Sequence, residues 1–178
     1  MKTIAIYPGT FDPITLGHVD IVSRASPLFD KVILGVAEST SKNTVFSPAE
    51  RVELARHALK RLTNVEVQRF NGLMVDFARQ HHASVVLRGL RAVSDFEYEF
   101  QLSGMNRKLM PEVDTIFMPT SEKYTYISSS LVREIASYGG DVGDFVDHKV
   151  NAALSERFAG SNLDVSKIGK KNTKHREG

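Results

Sequence analysis

Five short apolar segments recur along this 178-residue chain, with amphipathic helical patterns between them. They are rich in β-branched residues and cover residues 3–7, 31–37, 65–70, 84–87 and 115–118. Strands that alternate with helices favour βαβ units and a parallel sheet that is buried on both faces. The pattern therefore predicts the α/β class, as a single Rossmann-like, doubly wound domain with a five-stranded parallel sheet and helices on both faces.

Helix start and stop signals support this division. The first helix is predicted to begin near Thr15, and Pro27 should end it and restart a short turn at Ser26. The second helix has Ser47 as its N-cap, and Glu50 completes a capping box. The remaining helices are predicted over residues 74–81, 94–110, 128–138 and 144–158. The helix over 94–110, the fourth in the chain, is predicted to open with a capping box from Ser94 to Glu97.

The predicted fourth helix is apolar on more than one side. Phe96 and Phe100 form one set, and the other set comprises Tyr98, Leu102, Met105 and Leu109. A helix that is apolar on more than one side usually buries more than one side. We expect it to contact its own sheet and a second copy of the chain, which predicts a homo-oligomer.

Composition excludes several classes of protein. Cysteine is absent, which excludes disulfides, thiolate metal sites and a cysteine nucleophile and predicts a cytoplasmic location. No segment approaches the length of a membrane span and no signal peptide is visible, so we expect no membrane association. The net charge of +2 comes from residues 161–178, with five basic and two acidic groups; residues 1–160 carry −1. We therefore predict a domain over 1–160, a disordered basic tail over 161–178, and no nucleic-acid partner.

The most informative segment reads Gly-Thr-Phe-Asp-Pro-Ile-Thr-Leu-Gly-His at residues 9–18, directly after the first predicted strand. Ligands of open parallel sheets bind at the carboxyl ends of the strands. A helix N-terminus carries unpaired N–H groups and a partial positive charge, which favour a phosphate. His18, in the first helical turn, is expected to lie beside that phosphate.

Further polar residues follow the other strands and are expected at the same edge: Lys42, Arg88, Arg91, Ser128, Ser129, Ser130 and Arg133. Together they suit a ligand with several phosphates. Taken singly, Lys42 and Arg91 could be solvated cations, and the serines could be an ordinary N-cap. Arg88 is harder to dismiss, because an arginine at the end of an apolar strand needs an anion. Neither a GxGxxG turn nor a Walker phosphate loop occurs, which disfavours dinucleotide dehydrogenases and Walker-type ATPases.

Two segments resemble the signatures of the nucleotidyltransferase superfamily. Thr15-Leu-Gly-His18 is similar to its Thr/His-x-Gly-His motif, and Ile127-Ser-Ser-Ser-Leu-Val-Arg133 is similar to its second motif. Over residues 3–158 the chain resembles the bacterial phosphopantetheine adenylyltransferase family, through residues 7–15, 41–42, 88–99 and 105–111. Pro27 and the basic tail depart from the family pattern.

The resemblance implies an activity. The family transfers AMP from ATP to 4'-phosphopantetheine and yields dephospho-coenzyme A and pyrophosphate, the penultimate step of coenzyme A biosynthesis. It also implies Mg²⁺ as the cofactor, held mainly by phosphates and water rather than by protein ligands. A cytoplasmic homohexamer and feedback binding of coenzyme A are expected on the same ground.

The resemblance also assigns roles to residues. The catalytic residues would be His18, as donor to the α-phosphate, together with Thr10, Lys42 and Arg91. ATP would be bound by Thr10, Phe11, His18, Gly89, Leu90, Arg91, Glu99, Tyr124, Thr125, Tyr126, Ile127, Ser128, Ser129 and Ser130. The phosphopantetheine side would be bound by Thr10, Lys42, Met74 and Arg88.

Two alternatives stay open at this stage. The chain could be another nucleotidyltransferase, such as a nicotinate-nucleotide adenylyltransferase or a glycerol-phosphate cytidylyltransferase, although residues 88–99 speak against both. It could also be a non-catalytic nucleotide-binding regulatory module on the same fold. His81 and His82 are predicted to cap a helix and to have no chemical role.

Overall fold

The computed structural model describes residues 3–38 and 43–159. Its five strands are β1 (Ile4–Gly9), β2 (Lys31–Ala37), β3 (Val65–Phe70), β4 (Val85–Leu90) and β5 (Asp114–Pro119). They form one parallel sheet in the order β3-β2-β1-β4-β5. The predicted doubly wound α/β fold is confirmed, because the strand order reverses direction between β1 and β4.

Within residues 3–38 and 43–159, six α-helices connect and follow the strands. They are α1 (Leu16–Ala25), α2 (Pro48–Leu59), α3 (Met74–Gln80), α4 (Val93–Leu109), α5 (Ser129–Ser137) and α6 (His148–Phe158). Short 3-10 turns cover Ser26–Leu28 and Glu122–Tyr124. None of the helices within the described ranges is long and apolar enough to cross a membrane.

The sheet is buried on both faces by alternate side chains of its central strands. Ala5 and Tyr7 of β1 join the larger core, to which α1, α2, α5 and α6 contribute. Ile6 of β1 and Ile33 of β2 point to the opposite face, where α3 and the segment after α4 complete a smaller core. Side chains of successive strand residues alternate between faces, so one apolar run serves both layers.

The register of the strands locates a crevice. β1 pairs with β2 over six residues, but it pairs with β4 only through Ala5–Val85 and Ile6–Val86. Beyond those pairs the carboxyl-terminal halves of β1 and β4 separate. This is the switch point of the sheet, where doubly wound folds bind their ligands.

Two predicted helix starts are wrong. α4 begins at Val93, with Ala92 as its N-cap, so Ser94 lies inside the helix. The carboxylate of Asp95 accepts a hydrogen bond from the backbone N–H of Arg91, and this contact takes the place of the predicted capping box. α6 begins at His148 rather than near residue 144, because the Asp147 side chain caps it by accepting from the N–H of Lys149.

Several other boundaries are confirmed. Ser47 and Glu50 form the predicted capping box of α2. α1 ends at Ala25, and Pro27 lies in the 3-10 turn that follows, as the sequence predicts. His81 and His82 follow the last residue of α3. The predicted basic tail over 161–178 lies outside the described residues.

Candidate active site

A cavity of about 500 Å³ opens where β1 and β4 separate. It brings together residues from the β1–α1 loop, the end of β4, α4 and the start of α5. The predicted site residues that line it are Thr10, Phe11, His18, Arg88, Gly89, Arg91, Glu99, Ile127, Ser128, Ser129 and Ser130. The two motifs that lie more than a hundred residues apart in the chain therefore face one cavity.

Other predicted site residues do not line the cavity. Met74 packs against the smaller core, and Leu90 ends β4 with its carbonyl accepting from the N–H of Thr120. Tyr124 lies beside Gly17, and Tyr126 stands edge-on to Phe145. Thr125 caps its own 3-10 turn through its hydroxyl. Lys42 lies outside the described residues.

The hydrogen bonds of His18 fix its tautomer. Its Nδ1 accepts the backbone N–H of Thr15 at 3.0 Å, and the Thr15 hydroxyl lies 3.0 Å from the same nitrogen. A nitrogen that accepts an N–H cannot carry a proton itself, so the neutral ring is protonated at Nε2. His18 can therefore offer an Nε2–H donor to a ligand in the cavity.

The imidazole is also kept neutral. Burial, with a smaller contribution from the positive charge of Arg91, lowers the pKa of His18 to about 4. Phe11 stands edge-on to the ring, with the two centroids 5.0 Å apart, and excludes water from that side. At neutral pH the site holds a fixed, uncharged hydrogen-bond donor.

Phe11 achieves this position through an unusual backbone conformation. Its φ is 47°, in the left-handed region that non-glycine residues rarely adopt, and its side chain is buried. Such conformations persist only where the surroundings impose them, and they concentrate at functional sites. In this conformation the Phe11 ring lies edge-on to both Tyr7 and His18.

The two arginines of the cavity are each held by a carboxylate of α4. Arg88 makes a bidentate pair with Glu99, at 2.6 Å from Nε and 2.5 Å from Nη2, and donates to the Pro8 carbonyl. Arg91 pairs with Asp95 at 3.0 Å. The guanidinium groups are thus oriented within the cavity before any anion arrives.

The N-terminus of α5 forms another wall. Ser128 caps the helix by accepting from the N–H of Leu131. The N–H groups of Ser129 and Ser130 have no partner among the described residues, as is usual for the first helical turn. Ser129 donates to the Pro13 carbonyl at 2.8 Å, which fastens this helix start to the His18 loop.

Arg51 and Asp12 hold the loops that carry the site. Arg51, only 1% exposed, donates to the carbonyls of Thr10 at 2.6 Å, Ala37 at 2.9 Å and Phe46 at 3.2 Å. The buried Asp12 carboxylate accepts from the N–H groups of Val45 and Phe46. These bonds join the β1–α1 loop to the segments that flank residues 39–42.

A smaller cavity of about 60 Å³ adjoins the imidazole. Gly17, Gly89, Ile127 and Thr120 are among the residues that line it. The Thr120 hydroxyl is buried and has no hydrogen-bond partner among the described residues. A side chain at Gly89 would force its neighbours to shift, because its Cβ would lie 2.4 Å from the Ile21 side chain and 2.8 Å from the Tyr7 hydroxyl.

Known proteins match both the sequence and the fold. The family model described as cytidylyltransferase-like matches residues 6–135. A phosphopantetheine adenylyltransferase from Methylococcus capsulatus is 61% identical over 161 residues, which cover 90% of this chain and 99% of the relative. A second protein of that name, from Thioalkalivibrio sulfidiphilus, is 60% identical over 158 residues, covering 89% and 99%.

This chain belongs to the phosphopantetheine adenylyltransferase family. A crystal structure from Vibrio parahaemolyticus, solved under the name of a nicotinate-nucleotide adenylyltransferase, has a TM-score of 0.62 and covers 92% of this chain and 95% of its own. At 22% identity that likeness shows the nucleotidyltransferase fold alone.

Several residues of the candidate site in this member of the phosphopantetheine adenylyltransferase family were not predicted from the sequence. Tyr98 and Asp95 line the cavity beside Glu99. Asp95 precedes Tyr98 by three residues and Glu99 by four, which places it beside both on the helix surface, a signal that the sequence does contain. Arg51 carries no such signal, because its acceptors are backbone carbonyls of distant segments.

Proposed function

We infer that this protein is an adenylyltransferase that transfers AMP from ATP to 4'-phosphopantetheine and releases pyrophosphate. One observation carries the inference. In a chain about 60% identical to proteins of that name, a neutral imidazole donor and a serine-rich helix N-terminus face the same cavity. The product, dephospho-coenzyme A, belongs to the penultimate step of coenzyme A biosynthesis.

The chemistry requires little from the protein beyond positioning and charge stabilisation. A phosphate oxygen of phosphopantetheine forms a bond to the α-phosphorus of ATP, and the bond from that phosphorus to the bridging oxygen of pyrophosphate breaks. The attacking phosphate is already an anion at neutral pH, so no strong general base is needed. The tautomer of His18 agrees with this, because Nε2–H can donate but cannot accept a proton.

We propose the following roles. The Nε2–H of His18 donates to an α-phosphate oxygen as negative charge develops there. Thr10 and Lys42 orient the attacking phosphate, and Arg91 with the start of α5 receives the β- and γ-phosphates. Gly89, Glu99 and Ile127 contact the nucleotide, whereas Arg88 and Met74 serve the phosphopantetheine side.

The donor set bears on the expected Mg²⁺. The two cavity carboxylates, Asp95 and Glu99, are each paired with an arginine. Mg²⁺ is commonly held by substrate phosphates and water with few protein ligands. The residues present fit that mode of binding, and we propose Mg²⁺ as cofactor. When bound, it would supply charge neutralisation at the triphosphate.

The decisive experiment measures pyrophosphate release from ATP with 4'-phosphopantetheine as the acceptor. Nicotinate mononucleotide with ATP, and glycerol 3-phosphate with CTP, serve as matched alternative substrates. We expect release with 4'-phosphopantetheine alone. Turnover with another pair would indicate a different nucleotidyltransferase, and nucleotide binding without any turnover would indicate a regulatory module.

We also propose a homo-oligomeric assembly, specifically a hexamer, in the cytoplasm where ATP is available. Its support is α4, in which none of the described side chains is buried although Phe100 and Met105 are apolar. Sedimentation velocity tests the assembly. Feedback binding by coenzyme A is a further proposal, because coenzyme A shares the phosphopantetheine arm; competition against 4'-phosphopantetheine tests it.

A further inference from the structure

A cluster of three potential metal ligands lies away from the active-site cavity, between α2 and the start of α6. The Nδ1 of His57 is 2.9 Å from Oδ1 of Asp147, and the Nδ1 of His148 is 3.4 Å from Oδ2 of the same carboxylate. The two imidazoles meet edge to face, with centroids 4.9 Å apart. None of the three residues lines the active-site cavity, and no step of the proposed reaction uses them.

We propose that His57, Asp147 and His148 bind one divalent transition-metal ion, with Zn²⁺ as the reference ion. The three ligand atoms lie within 4.8 Å of one another. Bonds of about 2.0–2.2 Å in a tetrahedral site place neighbouring ligand atoms roughly 3.3 Å apart. Only a small closing movement is needed, and the exposed His148 side chain is free to make it.

The ligand chemistry selects the class of ion. Two imidazoles with one carboxylate suit Zn²⁺, Co²⁺, Ni²⁺ or Cu²⁺, whereas Mg²⁺ and Ca²⁺ prefer oxygen ligands throughout. The site is thus chemically distinct from the Mg²⁺ that the ATP reaction is proposed to use. Three protein ligands leave a fourth position, which water would fill.

Without a metal ion, His57 interacts with Lys60 as well as with Asp147. The Nζ of Lys60 lies 3.1 Å from Nε2 of His57, a contact that requires a lone pair on Nε2 and hence a proton on Nδ1, which then donates to Asp147. Ligation through Nδ1 moves that proton to Nε2 and breaks the contact with Lys60. The lysine and the positive end of α6 both oppose a cation, so they lower the affinity of the site without changing its selectivity.

Occupation of the site would stabilise the contact between two helices. Asp147 is the N-cap of α6, and that helix places Val150 and Leu154 in the larger core. His57 comes from α2, whose Ala55 and Leu59 lie in the same core. An ion that binds the folded chain and not the unfolded one raises stability by mass action.

The test uses the full, tag-free chain titrated with ZnCl₂ in a calorimeter, with thermal unfolding as the second readout. We expect one equivalent to bind and the unfolding temperature to rise with Zn²⁺ concentration. His57→Gln and His148→Gln should each weaken binding at least tenfold. Lys60→Met should tighten it, because the competing cation is gone.

Matched controls use the other histidines. His81→Gln and His175→Gln should bind Zn²⁺ like the unaltered chain, and excess MgCl₂ should not displace the ion. Circular dichroism at each substitution separates loss of the site from loss of the fold. Unaltered Zn²⁺ affinity in folded His57→Gln, or no stoichiometric binding by the unaltered chain, would overturn the proposal.

Discussion

The β2–α2 side and the β5–α4 side of the sheet differ in how completely their side chains are buried within one chain. On the β2–α2 side even a charged residue is enclosed, since Arg51 is 1% exposed and its donors reach backbone carbonyls. On the β5–α4 side none of the described α4 side chains is buried, and Val93 and Met105 are 88% and 66% exposed. The first side is therefore buried by residues of this chain alone, whereas the described α4 side chains on the second side stay accessible to solvent.

The active-site cavity lies between these sides and depends on both. Its β1–α1 loop is fixed by Arg51 and Asp12, which are buried within the single chain. Its opposite wall carries Tyr98 and Glu99, which belong to the exposed helix α4. We therefore expect substitutions of the buried residues on the first side to affect folding, and substitutions of the exposed apolar α4 residues outside the cavity to affect assembly.

The largest expected effect is that of Arg51→Met. It leaves the Thr10, Ala37 and Phe46 carbonyls without this donor and removes one positive charge near the buried Asp12 carboxylate, which keeps its ion pair with Arg133. Each buried polar group that loses its partner costs about 1–3 kcal/mol of folding free energy, so losing all three bonds should cost several kcal/mol. Urea unfolding measures this. Arg56→Met, on the exposed face of the same helix, should change stability by about 0.5 kcal/mol or less; equal losses would contradict the comparison.

The next effect concerns chemistry. His18→Ala removes the Nε2–H donor and should lower kcat by at least about 10²-fold, the loss measured for single transition-state donors. KM for ATP should change less, because the donor acts mainly on developing charge. Steady-state kinetics of pyrophosphate release checks this, with His81→Ala as the control. An unchanged kcat in the purified protein would remove His18 from the mechanism.

A smaller effect on the chain itself is expected from Met105→Glu on α4. The substituted side chain stays in water in a single subunit, so stability should change by about 0.5 kcal/mol or less. A charge in a covered apolar contact should instead dissociate the assembly, as sedimentation velocity would show. Leu28→Glu is the matched control, because Leu28 is an equally exposed apolar residue far along the chain from α4. Its assembly should remain intact; an intact Met105→Glu assembly would place the interface elsewhere.

The smallest expected effect concerns His18, whose imidazole should not titrate near neutral pH. Because burial lowers the pKa of His18 to about 4, the folded chain should not protonate this ring between pH 6 and pH 8. The unfolded chain takes up the proton near pH 6.5, so the contribution of His18 to stability is constant above that pH and falls as the pH drops towards 4. Nuclear magnetic resonance of the imidazole gives the midpoint. A midpoint near 6.5 would show that the ring is hydrated.

The sequence predicted those parts of the site that depend on residues close together in the chain. His18 and Ser128 were predicted because a helix start, its cap and its preceding strand are adjacent in the chain. The start of α4 was predicted wrongly, since Asp95 satisfies the backbone N–H of Arg91 where a Ser94 cap was expected. The pairing of Arg88 with Glu99 was also not predicted, although both residues were placed at the site.

The amino-acid order by itself determined the strand and helix alternation, the parallel α/β class and the edge at which polar residues gather. These follow from local periodicity and capping, which a few neighbouring residues encode. Only the tertiary structure decided which carboxylate holds which arginine, that Arg51 is buried against three carbonyls, and that α4 is left exposed. Those outcomes depend on contacts between segments far apart in the chain, and no local pattern records them.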